Sequence, residues 1–222
     1  MAIKVIITGT TGMVGEGVLH VCLQNPLVEK VLIINRKPYG LSHPKLTEII
    51  HSDFYDISSI ENQLSDYDAC FFCLGVSSIG MKEEDYSKVT NTLTLHIAKT
   101  LQLQNPNLVF CYVSGIGTDS SEKGKSMWAR VKGKTENDLV KIFKQNAYAF
   151  RPGFIKPIKG LQHIHKFYAY INWMFPIGRI LSPNSFNSLE EIGKAMIEIA
   201  VNGDTEKIIT GKEITRLANL NC

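Results

Sequence analysis

Val5-Ile6-Ile7-Thr8-Gly9-Thr10-Thr11-Gly12-Met13-Val14-Gly15 sets a run of strand-forming residues directly before three spaced glycines and an apolar, helix-compatible segment. The pattern reads as a dinucleotide cradle. Gly9 lets the chain turn sharply off the strand, Gly12 lets backbone N–H groups approach a diphosphate, and Gly15 lets the new helix pack closely on the sheet. Thr11, Met13 and Val14 complete the loop. A glycine triplet alone is weak evidence, since such spacings also mark ordinary tight turns. Here a β-branched strand precedes it, and Val14, Val18, Leu19 and Val21 supply an apolar helix face after it.

Around this stretch the chain has 222 residues, 44% of them hydrophobic, enough for one sizeable core. A single domain over 1–222 is expected, with a cofactor-binding core over 1–157 and a substrate-side segment over 158–222. The 24 basic and 21 acidic residues are interspersed, which gives no case for nucleic acid. No run of apolar residues has transmembrane length, and no secretory leader pattern is evident. The five cysteines, Cys22, Cys70, Cys73, Cys111 and Cys222, are an odd count at low density. They read as reduced thiols, so a cytoplasmic location is the expectation. Cys70 and Cys73 have redox-motif spacing, but positions three apart on a strand face opposite ways, which argues against a disulfide or shared metal.

Strand-like runs recur at 4–8, 30–35, 46–51, 69–74, 108–113 and 147–150, and a short late one at 207–210. Helical patterns cover 13–24, 57–63, 83–103, 125–145 and 188–201. This alternation predicts an α/β, Rossmann-like, doubly wound parallel sheet with helices on both faces. The link 36–45 is too short for a standard crossover helix and reads as an irregular loop.

Further signals stand in order along the chain: Ser52-Asp53-Phe54, Cys73-Leu74-Gly75, Val113-Ser114-Gly115, Val131-Lys132-Gly133-Lys134-Thr135-Glu136 and Phe150-Arg151-Pro152-Gly153. Together with the glycine loop, they resemble a short, atypical member of the short-chain dehydrogenase/reductase superfamily. The group it is most similar to is the NAD-dependent epimerase/dehydratase-like or NAD(P)H-binding one. The likeness is good over about 2–157 and holds only in outline beyond.

That resemblance implies roles for particular residues. A carboxylate ending the second strand accepts the ribose hydroxyls of NAD. This chain has Asn35-Arg36-Lys37, two cations and no acid. The implied cofactor is NADP, with NAD as the alternative, because a guanidinium forks onto a 2′-phosphate. A solvated Arg-Lys pair is the competing reading. Asp53 is implied to accept from the adenine amino group with Phe54 beside the ring, unless Asp53 caps the helix near Ile57. Leu74, Gly75 and Val76 are implied to lie along the ribose and nicotinamide, unless Gly75 only ends a strand.

In active relatives a Ser or Thr orients the substrate oxygen, and a Tyr one helical turn before a Lys exchanges the proton. Ser114 and Lys132 fit their places; a turn-capping serine and a solvated lysine are the plain alternatives. The Tyr position holds Trp128. An indole N–H donates a hydrogen bond but does not ionise in the biological range. Tyr86, Tyr112, His163 and His165 are the remaining candidates for a substitute acid. Two expectations follow. One is an NAD(P)-dependent oxidoreductase or epimerase-like enzyme acting on a small carbonyl or hydroxyl compound. The other is a cofactor-binding sensor without turnover. The aromatic-rich stretch around 161–181 reads as a substrate lid, a self-association surface of a homodimer, or a membrane-leaning helix.

Overall fold

The computed structural model describes residues 2–163, 175–182 and 185–220. Among them, β1 (Ile3–Thr8), β2 (Val28–Asn35), β3 (Leu46–Ile50), β4 (Ala69–Phe72), β5 (Val109–Val113), β6 (Ala147–Arg151) and β9 (Ile208–Thr210) form a seven-stranded sheet in the order β3-β2-β1-β4-β5-β6-β9. Every pairing in it is parallel. The strand order reverses between β1 and β4, and an open sheet of this kind leaves a crevice at the carboxyl ends of those two strands.

Strand alternation sends side chains to two cores. Val5 and Ile7 join Val18, Leu19, Ile192 and Met196, under α1 (Met13–Gln24), α6 (Leu189–Asn202) and α7 (Gly211–Ala218). Ile6 joins Ile97, Leu101, Leu139 and Phe143, under α3 (Leu93–Gln104) and α4 (Met127–Phe143). Covering both faces by helices is what a fully parallel sheet demands. Cys70 packs into the second core and Cys73 against the first, so the pair is split by the sheet, and both are free thiols.

β2 and β3 are joined by an irregular loop without a helix, tied down where the Tyr39 N–H donates to Glu48 Oε1 at 2.9 Å. The helix expected over 57–63 is corrected to a single 3₁₀ turn, Glu61–Gln63. Asp56 Oδ1 accepts from the backbone N–H and the hydroxyl of Ser58 (3.1 and 2.7 Å). That local turn competes with helix initiation, while buried Ile57, Ile60 and Leu64 anchor the stretch to the core. The helix expected over 83–103 is present in three parts: α2 (Glu83–Ser87), a π-helical turn (Lys88–Thr92) and α3.

Beyond β6 the chain forms elements with weak sequence signals. β7 (Phe154–Lys156) pairs in parallel with β8 (Phe186–Ser188), and α5 (Phe175–Leu181) precedes β8. The α6 N-terminus is closed by a capping box: Ser188 Oγ accepts from the Glu191 N–H (3.1 Å) and Glu191 Oε2 accepts from the Ser188 N–H (2.8 Å). Most of the aromatic stretch, with His165, lies outside the described residues; Phe175 is buried against Phe186.

Candidate active site

The loop after β1 is folded on itself by the Gly12 N–H, which donates to the Gly9 carbonyl at 3.0 Å. Gly9 has φ +73° and lies so close to the Cys73-Leu74 backbone that a side chain would strike it at 2.7 Å. A side chain on Gly15 would overlap the Gly9 carbonyl. These two glycines are required by the protein's own packing. Gly12 and Gly75 differ: a Cβ on Gly12 would meet only the Gly9 oxygen at 3.4 Å, and one on Gly75 would meet nothing within 4 Å. Both line the cleft at the strand-order reversal.

Gly12 is also the N-cap of α1 and provides no capping side chain. The first-turn N–H groups of Met13, Val14 and Gly15 therefore have no intrahelical acceptor, and the positive end of the helix dipole favours an anion before them. Thr10, which the sequence reading passed over, is buried and donates its hydroxyl to Asn35 Oδ1 at 2.8 Å. Asn35 in turn donates to Glu48 Oε1 at 2.8 Å, so the residue ending β2 is committed to holding the loop.

The cleft divides into two adjoining cavities that share Cys73, Leu74, Gly75 and Val76. The first, about 320 Å³, is lined by Gly9, Thr11 and Gly12, by Arg36 beyond β2, by Asp53 and Phe54 beyond β3, and by Val89 and Leu93 across the π-helical turn. Asp53 is exposed, and its Oδ1 accepts from the Tyr55 N–H at 2.8 Å; Phe54 is buried in the second core and edges the cleft. Asp53 caps no helix. Lys37 is exposed and outside the cleft lining, which leaves Arg36 as the cation of this cavity among the described residues.

The second cavity, about 550 Å³, is lined by Val14, Ser77, Ser114, Ile116, Lys132, Pro152, Gly153 and Ile155 besides the shared residues. Ser114 directly follows β5; its hydroxyl donates to the Phe150 carbonyl at 3.1 Å. Lys132 reaches across from α4 and its ammonium donates to the Ser114 carbonyl. Burial pushes the Lys132 ammonium down to about 8, against the opposing pull of the Glu136 carboxylate one turn on. The register of α4 is set by Gly133, where a side chain would overlap the Asp119 carbonyl, and by the buried Glu136 carboxylate, which pairs with Arg151.

Trp128 stands one turn before Lys132 in the first turn of α4, outside both cavity linings; a Cβ on Gly117 would lie 3.5 Å from its ring. The substitute acids are elsewhere too. Tyr112 points into the second core and burial pushes its phenol up; Tyr86 is buried, with its phenol likewise raised. His163 Nδ1 lies 3.1 Å from Glu16 Oε2. Glu16 is a further residue the sequence did not flag. Buried in the first turn of α1, it accepts the N–H groups of Gln162 and His163 (2.6 and 2.7 Å) and the Tyr39 hydroxyl (3.2 Å). It pins the start of the C-terminal segment to the glycine-loop helix.

A family model described as the NAD dependent epimerase/dehydratase family matches residues 5–127. Among curated proteins, the chain is 24% identical to protein FMP52, mitochondrial, of Candida albicans over 228 residues, covering 96% of this chain and 97% of that one. It is 29% identical over 159 residues to the fmp52 protein of Emericella nidulans, also named mitochondrial, covering 68% and 66%. Among solved structures, the UDP-N-acetylglucosamine 4-epimerase of Methanobrevibacter ruminantium superposes with TM-score 0.66 at 17% identity, over 97% of this chain and 80% of that one. The enzyme WbmF of Bordetella bronchiseptica, solved in complex with NAD+, gives 0.67 at 17% identity, over 97% and 76%. The fold is thus that of the epimerases and dehydratases. The cytoplasmic expectation is corrected, because the relatives are named mitochondrial proteins. Reduced thiols are compatible with any reducing compartment and did not discriminate.

Proposed function

This chain belongs to the NAD dependent epimerase/dehydratase family, and on that premise we propose that it is an NAD(P)-dependent oxidoreductase or epimerase-like enzyme with NADP preferred. The observation that carries the reading is the pair of glycines, Gly12 and Gly75, whose missing side chains leave space in the cleft and not in the protein's packing. Such space beside an uncapped helix N-terminus fits a diphosphate and the sugar beyond it. Arg36 supports the 2′-phosphate, since no carboxylate lines that cavity near it except Asp53 beyond β3.

When bound, the cofactor supplies or takes a hydride at a small carbonyl or hydroxyl compound. The chain's own residues do the rest. The Met13, Val14 and Gly15 N–H groups would hold the phosphates, Asp53 and Phe54 would border the adenine, and Leu74 to Val76 would lie under the ribose and nicotinamide. Ser114 Oγ, whose hydrogen goes to the Phe150 carbonyl, would accept from a substrate hydroxyl, and Lys132 would supply a positive charge for the nicotinamide ribose. Calorimetry with NADPH, NADP, NADH and NAD tests this: NADPH is expected to bind most tightly, and silence with all four on folded protein ends the proposal.

Trp128 favours a second reading, a cofactor-occupied sensor without turnover, because the usual phenol is absent. Trp128→Tyr separates the two. In an enzyme lacking one group it raises reduction of aldehydes and ketones, whereas a sensor stays silent with cofactor bound. The names of the curated relatives support a mitochondrial address, which organelle fractionation tests.

A further inference from the structure

The cavity that holds Ser114 raises a question of proton supply. Ser114 spends its hydrogen on the Phe150 carbonyl, so its oxygen is left as an acceptor. Trp128, Tyr86, Tyr112 and His163 do not line the cavity. Among the described residues that do, the titratable side chains are Cys73 and Lys132. Burial pushes the Cys73 thiol up to about 12, which makes it a reluctant donor.

Lys132 is in the opposite condition. Its stem crosses from α4 to the end of β5, where the Ser114 carbonyl takes one of its three N–H bonds and leaves two for the cavity. The charged groups around it are few. Glu136, on its own helix, favours the ammonium, but that carboxylate is bound by Arg151 of β6. From the β4 end comes the neutral Cys73, and β5 and α2 contribute the neutral phenols Tyr112 and Tyr86, buried away from the cavity. An amine so placed gives up and regains a proton near neutral pH, the range in which acid–base catalysts work best.

We propose that Lys132 is itself the proton donor to the substrate oxygen in reduction, and the acceptor in the reverse direction, in place of a phenol at position 128. The inference rests on the oxidoreductase reading. In reduction, the carbonyl carbon gains a C–H bond from the hydride of the reduced nicotinamide while the C=O π pair moves to oxygen. That oxygen takes a proton from the Lys132 ammonium; the N–H bond breaks, the O–H bond forms, and the neutral amine is reprotonated by water. The remaining Lys132 N–H groups serve the oxygen that changes, and Ser114 Oγ, left as an acceptor, takes the hydrogen of the hydroxyl once the alcohol has formed.

Competitive acylation of the folded, cofactor-free protein with acetic anhydride, read at the Lys132 peptide by mass spectrometry, tests the amine directly. The expected midpoint is about 8, and a midpoint at the ordinary 10.5 overturns the proposal. With NADPH and a panel of aldehydes and ketones, reduction is expected to fall as pH rises through the acylation midpoint. Lys132→Arg, whose guanidinium holds its proton throughout, is expected to lose about a hundredfold or more in turnover while still binding NADPH by calorimetry. Turnover by Lys132→Met close to that of the unaltered protein overturns the proposal, as does bound NADPH with no turnover of any carbonyl. Failure of every nicotinamide nucleotide to bind overturns the oxidoreductase reading instead, so the two failures are distinguishable.

Discussion

The two cavities of the cleft are built from different materials. At the glycine-loop end, the contacts offered are backbone N–H groups of Met13, Val14 and Gly15, and the decisive residues are glycines, whose contribution is the absence of a side chain. At the Ser114 end, the contacts offered are side chains that converge from β5 and α4, and their chemistry depends on burial and neighbours. A backbone site is either present or sterically blocked. A side-chain site can change its chemistry through one substitution while the fold stays the same.

The largest test of that contrast is to fill a glycine that the packing needs in each half. Gly15→Val and Gly133→Val both force a Cβ into a carbonyl, of Gly9 and Asp119 respectively. Each is expected to destabilise by about 3 kcal/mol or more in urea unfolding. Gly12→Val is the control that sharpens the comparison: its side chain has room, so stability is expected to change by less than about 1 kcal/mol while NADPH affinity falls on the order of a hundredfold. Equal loss of stability in all three would erase the distinction between packing glycines and ligand glycines.

Next in size is the ion pair that supports the second half. Glu136 and Arg151 are both largely buried, so Glu136→Gln leaves the guanidinium without its counter-charge, with Ser120 Oγ still accepting from it, and is expected to cost about 3 kcal/mol. It also removes the carboxylate that favours the Lys132 ammonium, so the Lys132 midpoint moves below about 8. An unmoved midpoint would detach Glu136 from the site's electrostatics.

Smaller again is the cost of holding Lys132 buried. As pH falls from 10.5, the unfolded chain takes up this proton first, and the folded protein does so only near 8, so folding is progressively penalised across that window. Lys132→Met is therefore expected to stabilise the cofactor-free protein at neutral pH by about 1 to 2 kcal/mol, with the gain shrinking as pH rises toward 10.5. Destabilisation by Lys132→Met at every pH would mean that the ammonium is a net structural asset. The mildest effect is expected at Arg36. Arg36→Ala, at an exposed position, should leave stability unchanged and reduce the preference for NADPH over NADH by about tenfold, measured by calorimetry.

The same contrast explains what is legible in the sequence. The glycine loop, the strands of the main sheet and the helix-free link between β2 and β3 each follow from local pattern and chain length, and all are in place. The convergence of Ser114 and Lys132 was visible only through resemblance, since no local rule brings a strand end to a helix turn 18 residues later. Where local signals compete, spacing alone does not decide the element. Residues 57–63 have helical spacing, yet the Asp56 turn and the burial of Ile57, Ile60 and Leu64 leave only one 3₁₀ turn. Glu16 shows the other kind of loss: an acid in the first turn of a helix looks like dipole compensation, whereas it receives two N–H groups from residues 162 and 163.

Sequence alone was enough for the parallel sheet and the loop after β1, because periodicity and glycine spacing are local properties. Tertiary structure decided which glycines serve the packing and which the cleft, which cation of the Arg36-Lys37 pair faces it, and how far Lys132 is drawn from its ordinary titration. Those depend on distance and desolvation, which arise only when β4, β5 and α4 are brought together.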